Sequence, residues 1–346
     1  MAYTTINKST DYFNTKLYTG NDGTNAITGL GFQPDFNWIK DRTSTGEHLL
    51  VDAVRGMYNI RSNSTAVESA NGSIHQQSLD SDGFTVVGSA GNSNASGRNY
   101  ASWNWKANGT GSSNTAGSIN STVSVNTTAG FSIVKWTGNG TNPSTVGHGL
   151  GVAPKMIIMK NTSSSTAGWY VYHVSNGASA YMRLNLTDAV TTSHDIFNDA
   201  TPTSTVFSVN HDVINGSGNT IIAYCFAEKT GYSKFGSYTG NGNADGTFVY
   251  TGFKPAFVMI KDTASANSWE IRDTTRHTIN DGTRKVLRAD TSGAESDDAN
   301  PVDILSNGFK PRVTGSSTNG SGTKYIYMAF AEAPLVGSNN VPCTAR

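Results

Sequence analysis

One ordered set of residues occurs three times along this chain, and whatever the fold, it must accommodate that set three times over. Its first copy reads Tyr18-Thr19-Gly20, then Gly31-Phe32-Gln33-Pro34, then Asp35-Phe36-Asn37-Trp38-Ile39, closed by Lys40-Asp41. The second reads Trp136-Thr137-Gly138, Gly151-Val152-Ala153-Pro154, Lys155-Met156-Ile157-Ile158-Met159 and Lys160-Asn161. The third reads Tyr238-Thr239-Gly240, Gly252-Phe253-Lys254-Pro255, Ala256-Phe257-Val258-Met259-Ile260 and Lys261-Asp262. Each copy continues through a second short apolar run, beginning near Glu47, Trp169 and Trp269, and through a turn such as Ser81-Asp82-Gly83-Phe84 or Ser306-Asn307-Gly308-Phe309. Each ends on a period-2 run: Tyr100 to Lys106, Ile221 to Ala227 and Tyr325 to Ala331.

Alternation of this kind is the mark of a half-buried strand. It puts Ala101, Trp103 and Trp105, then Ile222, Tyr224 and Phe226, then Ile326, Met328 and Phe330 on the inward faces. With Gly, Asn and Ser turns between short apolar runs and no amphipathic helix pattern, the expected fold is all-β. It comprises three tandem antiparallel β-sandwich domains, jelly-roll-like because a unit of about 100 residues is twice a propeller blade. The expected boundaries are residues 1–107, 131–228 and 229–333, with a flexible Ser/Thr/Gly/Asn-rich linker at 108–130 that holds one edge strand around Ser121 to Val125, and an exposed tail at 334–346. The linker predicts that the first unit moves relative to the rest, whereas the short connection at 229–231 predicts that the second and third pack together. Each sandwich is expected to hold its own core, so that Phe226→Ala or Phe330→Ala unfolds its own unit first.

Only 14% of the residues are charged, and 25 basic balance 25 acidic side chains, which excludes the electrostatic footprint of a nucleic-acid binder. No basic amphipathic face, secretory leader or apolar stretch of membrane-spanning length is present, so neither a membrane nor a nucleic acid is an expected partner. The two cysteines, Cys225 and Cys343, are too few for a disulfide framework, and their contexts argue against a mutual bridge.

Catalytic, metal and cofactor chemistry find no constellation here, and none of the three is expected. His48, His75, His148, His173, His194, His211 and His277 lack zinc-ligand spacing. Asp80/Asp82 and Asp297/Asp298 read as turn residues or a loose calcium site. Asp52 and Asp273 recur in register, but the second copy has His173 there. Gly138-Asn139-Gly140 reads as a turn, since no helix follows to bind phosphate. The recurring lysine, at 40, 160 and 261, is expected to end its strand with the ammonium in water. In Gly-x-x-Pro, the glycine permits an unusual backbone angle and the proline starts the strand. The six tryptophans are expected in the core. Tyr170, Tyr172, Tyr325 and Tyr327 are the expected exposed aromatics, suited to stacking on a sugar.

Residues 1–20 and 31–40, the Ser81-Asp82-Gly83-Phe84 turn and the Tyr100 to Lys106 strand resemble a repeat module of virion proteins from marine tailed phages, notably those of pelagibacteria and cyanobacteria. The second copy, from Trp136 through His173, is more similar still. The resemblance spans nearly the whole chain apart from linker and tail. It implies a structural, non-enzymatic protein on the virion surface, as capsid decoration or as a tail or fibre component assembled in the host cytoplasm. No catalytic residue is implied. Tail fibres usually begin with a separate anchoring domain, whereas here the repeat starts almost at Met1. Other virion proteins are the expected partners, with a homo-oligomer, preferably a trimer, matching virion symmetry. The alternative is a carbohydrate-binding receptor-recognition protein of the tail that attaches to a host cell-surface glycan.

Overall fold

The computed structural model describes residues 3–72, 75–277, 280, 284–298 and 301–336. The tail beyond Val336, with Cys343, lies outside the described residues; Cys225 is a buried free thiol. The chain is all-β, with antiparallel sheets and, among the described residues, two short helical turns, Ser9–Asp11 and Asp212–Asn215.

Each repeat builds the same large sheet. In the first, the strand order is Phe13–Thr19, Asn99–Trp105, Phe36–Asp41, Leu49–Asp52, Gly56–Ile60, Ser69–Ala70. In the third it is Ser233–Thr239, Lys324–Pro334, Phe253–Asp262, Glu270–Asp273, Arg284–Arg288, Ser296–Asp298. The second has the corresponding six, from Phe131–Thr137 to Thr191–Thr192, and two more strands outside them. The closing strand of every repeat is thus central, between the opening strand and the strand after the Gly-x-x-Pro. The registers agree: Phe36 faces Trp105, Met156 faces Phe226 and Phe257 faces Phe330.

A smaller sheet covers one face of each large sheet and makes the sandwich. It consists of Asn25–Thr28, Gly83–Val86 and Gln76–Asp80 in the first repeat, and of Ser144–Gly147 with Val206–Val209 in the second. In the third it consists of Val249–Tyr250, Gly308–Pro311 and Val302–Leu305. Three separate apolar clusters fill these spaces.

The other face of each large sheet meets the other two repeats. All nine inward residues read from the closing strands lie in one buried cluster drawn from all three sheets. Trp105, Phe226 and Phe330, at equivalent positions, form a triangle with ring centroids 5.6 to 6.3 Å apart. Phe36 stacks on Tyr224 at 4.0 Å, and Phe13 on Phe330 at 5.0 Å. Each sandwich thus keeps a cluster of its own, but the closing-strand residues expected inside it are corrected to a core shared by all three repeats. The covering sheets are too small to bury both faces of a six-stranded sheet, and three bare apolar faces are removed from water by meeting one another.

Two further expectations change. The edge strand expected around Ser121 to Val125 is present as Ser121–Asn126, but the segment is not a flexible linker: with Ser112–Asn114 it extends the second sheet beyond Phe131–Thr137. At its two ends Ala107 and Ala129 are buried in the shared core, and Asp35 accepts from the amides of Ala107 (2.6 Å) and Gly109 (3.1 Å). Thr and Val at alternate positions suit a strand once an edge is offered, whatever the composition suggests. Pro255 does not start its strand; Phe253–Asp262 runs through it, with register shifts on both sides that accommodate the missing N–H. The glycines of Gly-x-x-Pro behave as read, with φ of +85°, +73° and +82° at Gly31, Gly151 and Gly252.

Candidate functional site

The recurring polar residues lie where one repeat meets the next, and each joint uses the same set of bonds. Lys40, Lys160 and Lys261 are fully buried, which corrects the expectation that their ammonium groups reach water. Lys40 Nζ donates to Ser292 O at 3.2 Å, Lys160 Nζ to Thr65 O at 2.9 Å, and Lys261 Nζ to Thr187 O at 3.0 Å. Every acceptor belongs to a neighbouring repeat, so the three contacts close a ring: first to third, second to first, third to second. Three residues past each acceptor the direction reverses. The amides of Glu295, Glu68 and Val190 donate to the carbonyls of Arg42, Thr162 and Thr263, each two residues after the lysine, at 3.0 Å.

A third bond follows the same path. Trp169 Nε1 donates to Arg61 O and Trp269 Nε1 to Arg183 O, both at 2.9 Å. His48 takes that place in the first repeat and reaches Arg288 O at 2.9 Å. Burial pushes the His48 pKa down to about 3, so the ring is neutral. Its Nδ1 accepts from Trp38 Nε1 at 2.8 Å, which leaves Nε2–H to donate.

The recurring aspartates also serve the joints. Asp52 accepts from Arg55 Nε at 2.6 Å and from Tyr224 of the next repeat at 2.8 Å. Asp273 accepts from Arg276 Nε and from Trp103 Nε1, the latter at 3.0 Å. The equivalent of Trp103 and Tyr224 in the third repeat is Met328, which has no hydrogen to donate. A buried carboxylate opposite it would lack that partner, and His173 stands there instead. Burial pushes its pKa down to about 4; Nδ1 accepts from Ser175 N, and Nε2 lies 3.2 Å from Tyr327 O. The break in the aspartate pattern thus has a local cause unrelated to catalysis.

The lysines make stability depend on pH in a defined direction. Desolvation by burial pushes all three down to about 8, from an ordinary value of 10.5. Between those values the unfolded chain holds protons that the folded chain has released, so stability rises with pH through that window and is flat just below it. Cys225 and the buried tyrosines, whose pKa values burial raises, reverse the trend at higher pH. Melting at pH 9 is expected about 2–5 °C above that at pH 7.5. Replacing the three lysines with methionine should remove the difference, and a fall over the same interval would contradict their burial.

Sequence reading missed two further triplets. Asn94, Asn215 and Asn319 are buried just before the closing strand. Their Nδ2 groups donate to Gly23 O, Thr141 O and Asn243 O at 2.7 to 2.8 Å, clamping the loop that follows each Thr-Gly-Asn. A Cβ on Gly20, Gly138 or Gly240 would come within 2.2 to 2.3 Å of a carbonyl in the asparagine's loop, which explains those glycines. The arginines whose carbonyls are used, Arg61, Arg183 and Arg288, are each followed two residues later by Asn63, Asn185 or Asp290. Those side chains accept from the amides of His48, Trp169 and Trp269. Both triplets were findable, as Asn-Gly/Ala-Ser-Gly and as Arg-x-Asn/Asp.

The expected exposed tyrosines need correction. Tyr172, Tyr325 and Tyr327 are buried, and Tyr170 is half-buried against Tyr181 at 5.3 Å. Alternation turns Tyr172, Tyr325 and Tyr327 away from the shared core, but that outward face lies in the outer clusters, against Phe197 and Phe309. All six tryptophans are buried, as expected. Asp82 is a turn residue that accepts from the amides of Gly29 and Gly31, whereas Asp297 lies in a strand and pairs with Lys285 at 2.7 Å. Among the described residues no group of three His, Cys, Asp or Glu side chains is placed to hold a metal, and no helix is long and apolar enough to cross a membrane.

A groove of about 530 Å³ opens at the joint between the first and second repeats. Arg55, Tyr58 and Glu68 of the first repeat form one wall. The floor is the inward face of the second sheet beyond the core, where Ser113, Thr122 and Lys135 stand in one cross-strand row. Thr137 and Thr220 pair in the next row, beside Asn120. This floor exists because the supposed linker extends the sheet.

No curated protein and no solved structure matches the chain. One family model matches residues 8–334 and so spans all three repeats. The chain belongs to that family, described as domain of unknown function DUF7483.

Proposed function

We propose that this protein is a non-enzymatic building element of a bacteriophage particle, displayed on the virion surface as capsid decoration or as a tail or fibre component. The observation that carries the reading is that the residues repeated three times are engaged in joining one repeat to the next. Lys40, Lys160 and Lys261 bind neighbouring carbonyls, and Asp52 and Asp273 hold buried arginines and a neighbour's donor. Side chains so committed build a rigid, nearly neutral body, and the resemblance to virion repeat modules supplies the setting. Other virion proteins and further copies of the same chain are the proposed partners, the ring's own approximate threefold symmetry suiting a threefold position.

Peptide mass spectrometry of density-purified particles tests this. The chain should be recovered at a fixed ratio to the major shell protein, and antibody against it should label intact particles. Recovery only from the soluble fraction of the lysate would overturn the proposal.

A further inference from the structure

The geometry points to the groove between the first and second repeats as a binding site for a neutral glycan chain. This goes beyond the structural role and does not depend on it, since binding is a property of the purified chain and particle location is not.

Three observations converge. First, the groove lies within the range of roughly 300–1,000 Å³ usual for ligand sites and is open along the joint. Second, its wall carries Tyr58, a large aromatic exposed at 45%, on the strand Gly56–Ile60. That strand and the turn leading into it are held by the groove's own charged side chains: Arg55 Nη1 donates to Tyr58 O at 3.1 Å and to Glu68 Oε2 at 3.3 Å, and Lys135 Nζ donates to Val54 O at 3.1 Å. The ring is therefore presented on a fixed backbone, which lowers the ordering cost of binding. Third, the side chains of Ser113, Asn120, Thr122, Thr137 and Thr220 make no hydrogen bond among the described residues, although they continue the face that is apolar elsewhere in this sheet.

These groups select the ligand class. A flat exposed ring offers apolar area to the C–H face of a pyranose, and a row of hydroxyls and one amide can both donate to and accept from sugar hydroxyls. Glu68, with its side chain 27% exposed, adds a planar acceptor at the rim. The charges at the groove balance, Arg55 and Lys135 against Asp52, which pairs with Arg55, and Glu68, so an anion meets no net positive field and a neutral saccharide fits best.

The test is a printed array of neutral, N-acetylated and acidic oligosaccharides probed with the full chain. We expect retention on one or more neutral chains and weakening by about tenfold or more for Tyr58→Ala, with Tyr58→Trp keeping binding. Tyr250→Ala, which removes an aromatic of similar exposure on the third repeat, should leave binding unchanged, and equal melting temperatures would establish that both alanine variants are folded. Absence of any signal from the wild-type chain, retention on acidic chains alone, or equal binding by Tyr58→Ala would each overturn the assignment. None of these outcomes would bear on whether the chain is found on particles.

Discussion

Phe226→Ala is expected to lower the stability of the whole chain and to leave a single melting transition. The ring is buried and lies 4.9 Å from Phe131 and 6.0 Å from Phe235 within its surroundings. It also lies 6.3 Å from Trp105 of the first repeat and 6.0 Å from Phe330 of the third. Removing it costs about 3–5 kcal/mol, and the cavity opens on all three sheets at once. The size of the melting shift identifies what melts. At about 2.1 cal/mol/K per residue, a loss of ~4 kcal/mol lowers Tm by about 5 °C if 346 residues unfold together. If only a unit of ~100 residues unfolds, the same loss lowers its Tm by about 20 °C and splits the transition. Scanning calorimetry should give one peak with equal calorimetric and van't Hoff enthalpies, moved by the smaller amount. Two resolved peaks would restore three independent cores.

The contrast shows what the sequence could carry. Period-2 alternation identified every inward residue of the closing strands, because alternation is a property of one strand. Which surface those residues meet is a property of other strands, so Trp105, Phe226 and Phe330 were aligned correctly and assigned to separate interiors. The lysines failed for the same reason: whether Lys160 reaches water or Thr65 O depends on a loop 95 residues away. At residues 108–130 the alternating Val123 and Val125 marked one edge strand, but composition misled about the rest, where Ser, Thr and Asn satisfy a flexible segment and an edge strand such as Ser112–Asn114 equally well. The tyrosines show the cost of knowing faces without covers. Tyr325 and Tyr327 do turn outward, and a small sheet lies over them. Tyr58, the ring left open at the groove, aligns with Ala180 and Lys285, so comparison among repeats did not single it out.

Asp273→Ala is the second large effect expected, and its partner substitution decides the cause. The Asp273 and Arg276 side chains are both 0% exposed, and the carboxylate also accepts from Trp103 Nε1 and from the Arg276 amide at 2.9 Å. Deleting the carboxylate leaves a buried guanidinium whose remaining partners are Ile271 O and Glu295, and it strands an indole N–H. Breaking such a pair costs up to about 3–5 kcal/mol, because the buried guanidinium then keeps only Glu295, which it shares with Arg42, as a counter-charge. Urea midpoints should therefore fall clearly for Asp273→Ala. Adding Arg276→Met should recover part of the loss, because the buried cation that has lost its Asp273 partner is then gone and an apolar chain lies on the Trp103 face that the guanidinium now covers. Glu295 keeps Arg42 at 2.8 Å in the double variant. A double variant weaker than Asp273→Ala would mean that Arg276 holds the joint through Ile271 and Glu295 rather than through the aspartate, and that the recurring acid is not what fastens the first repeat to the third.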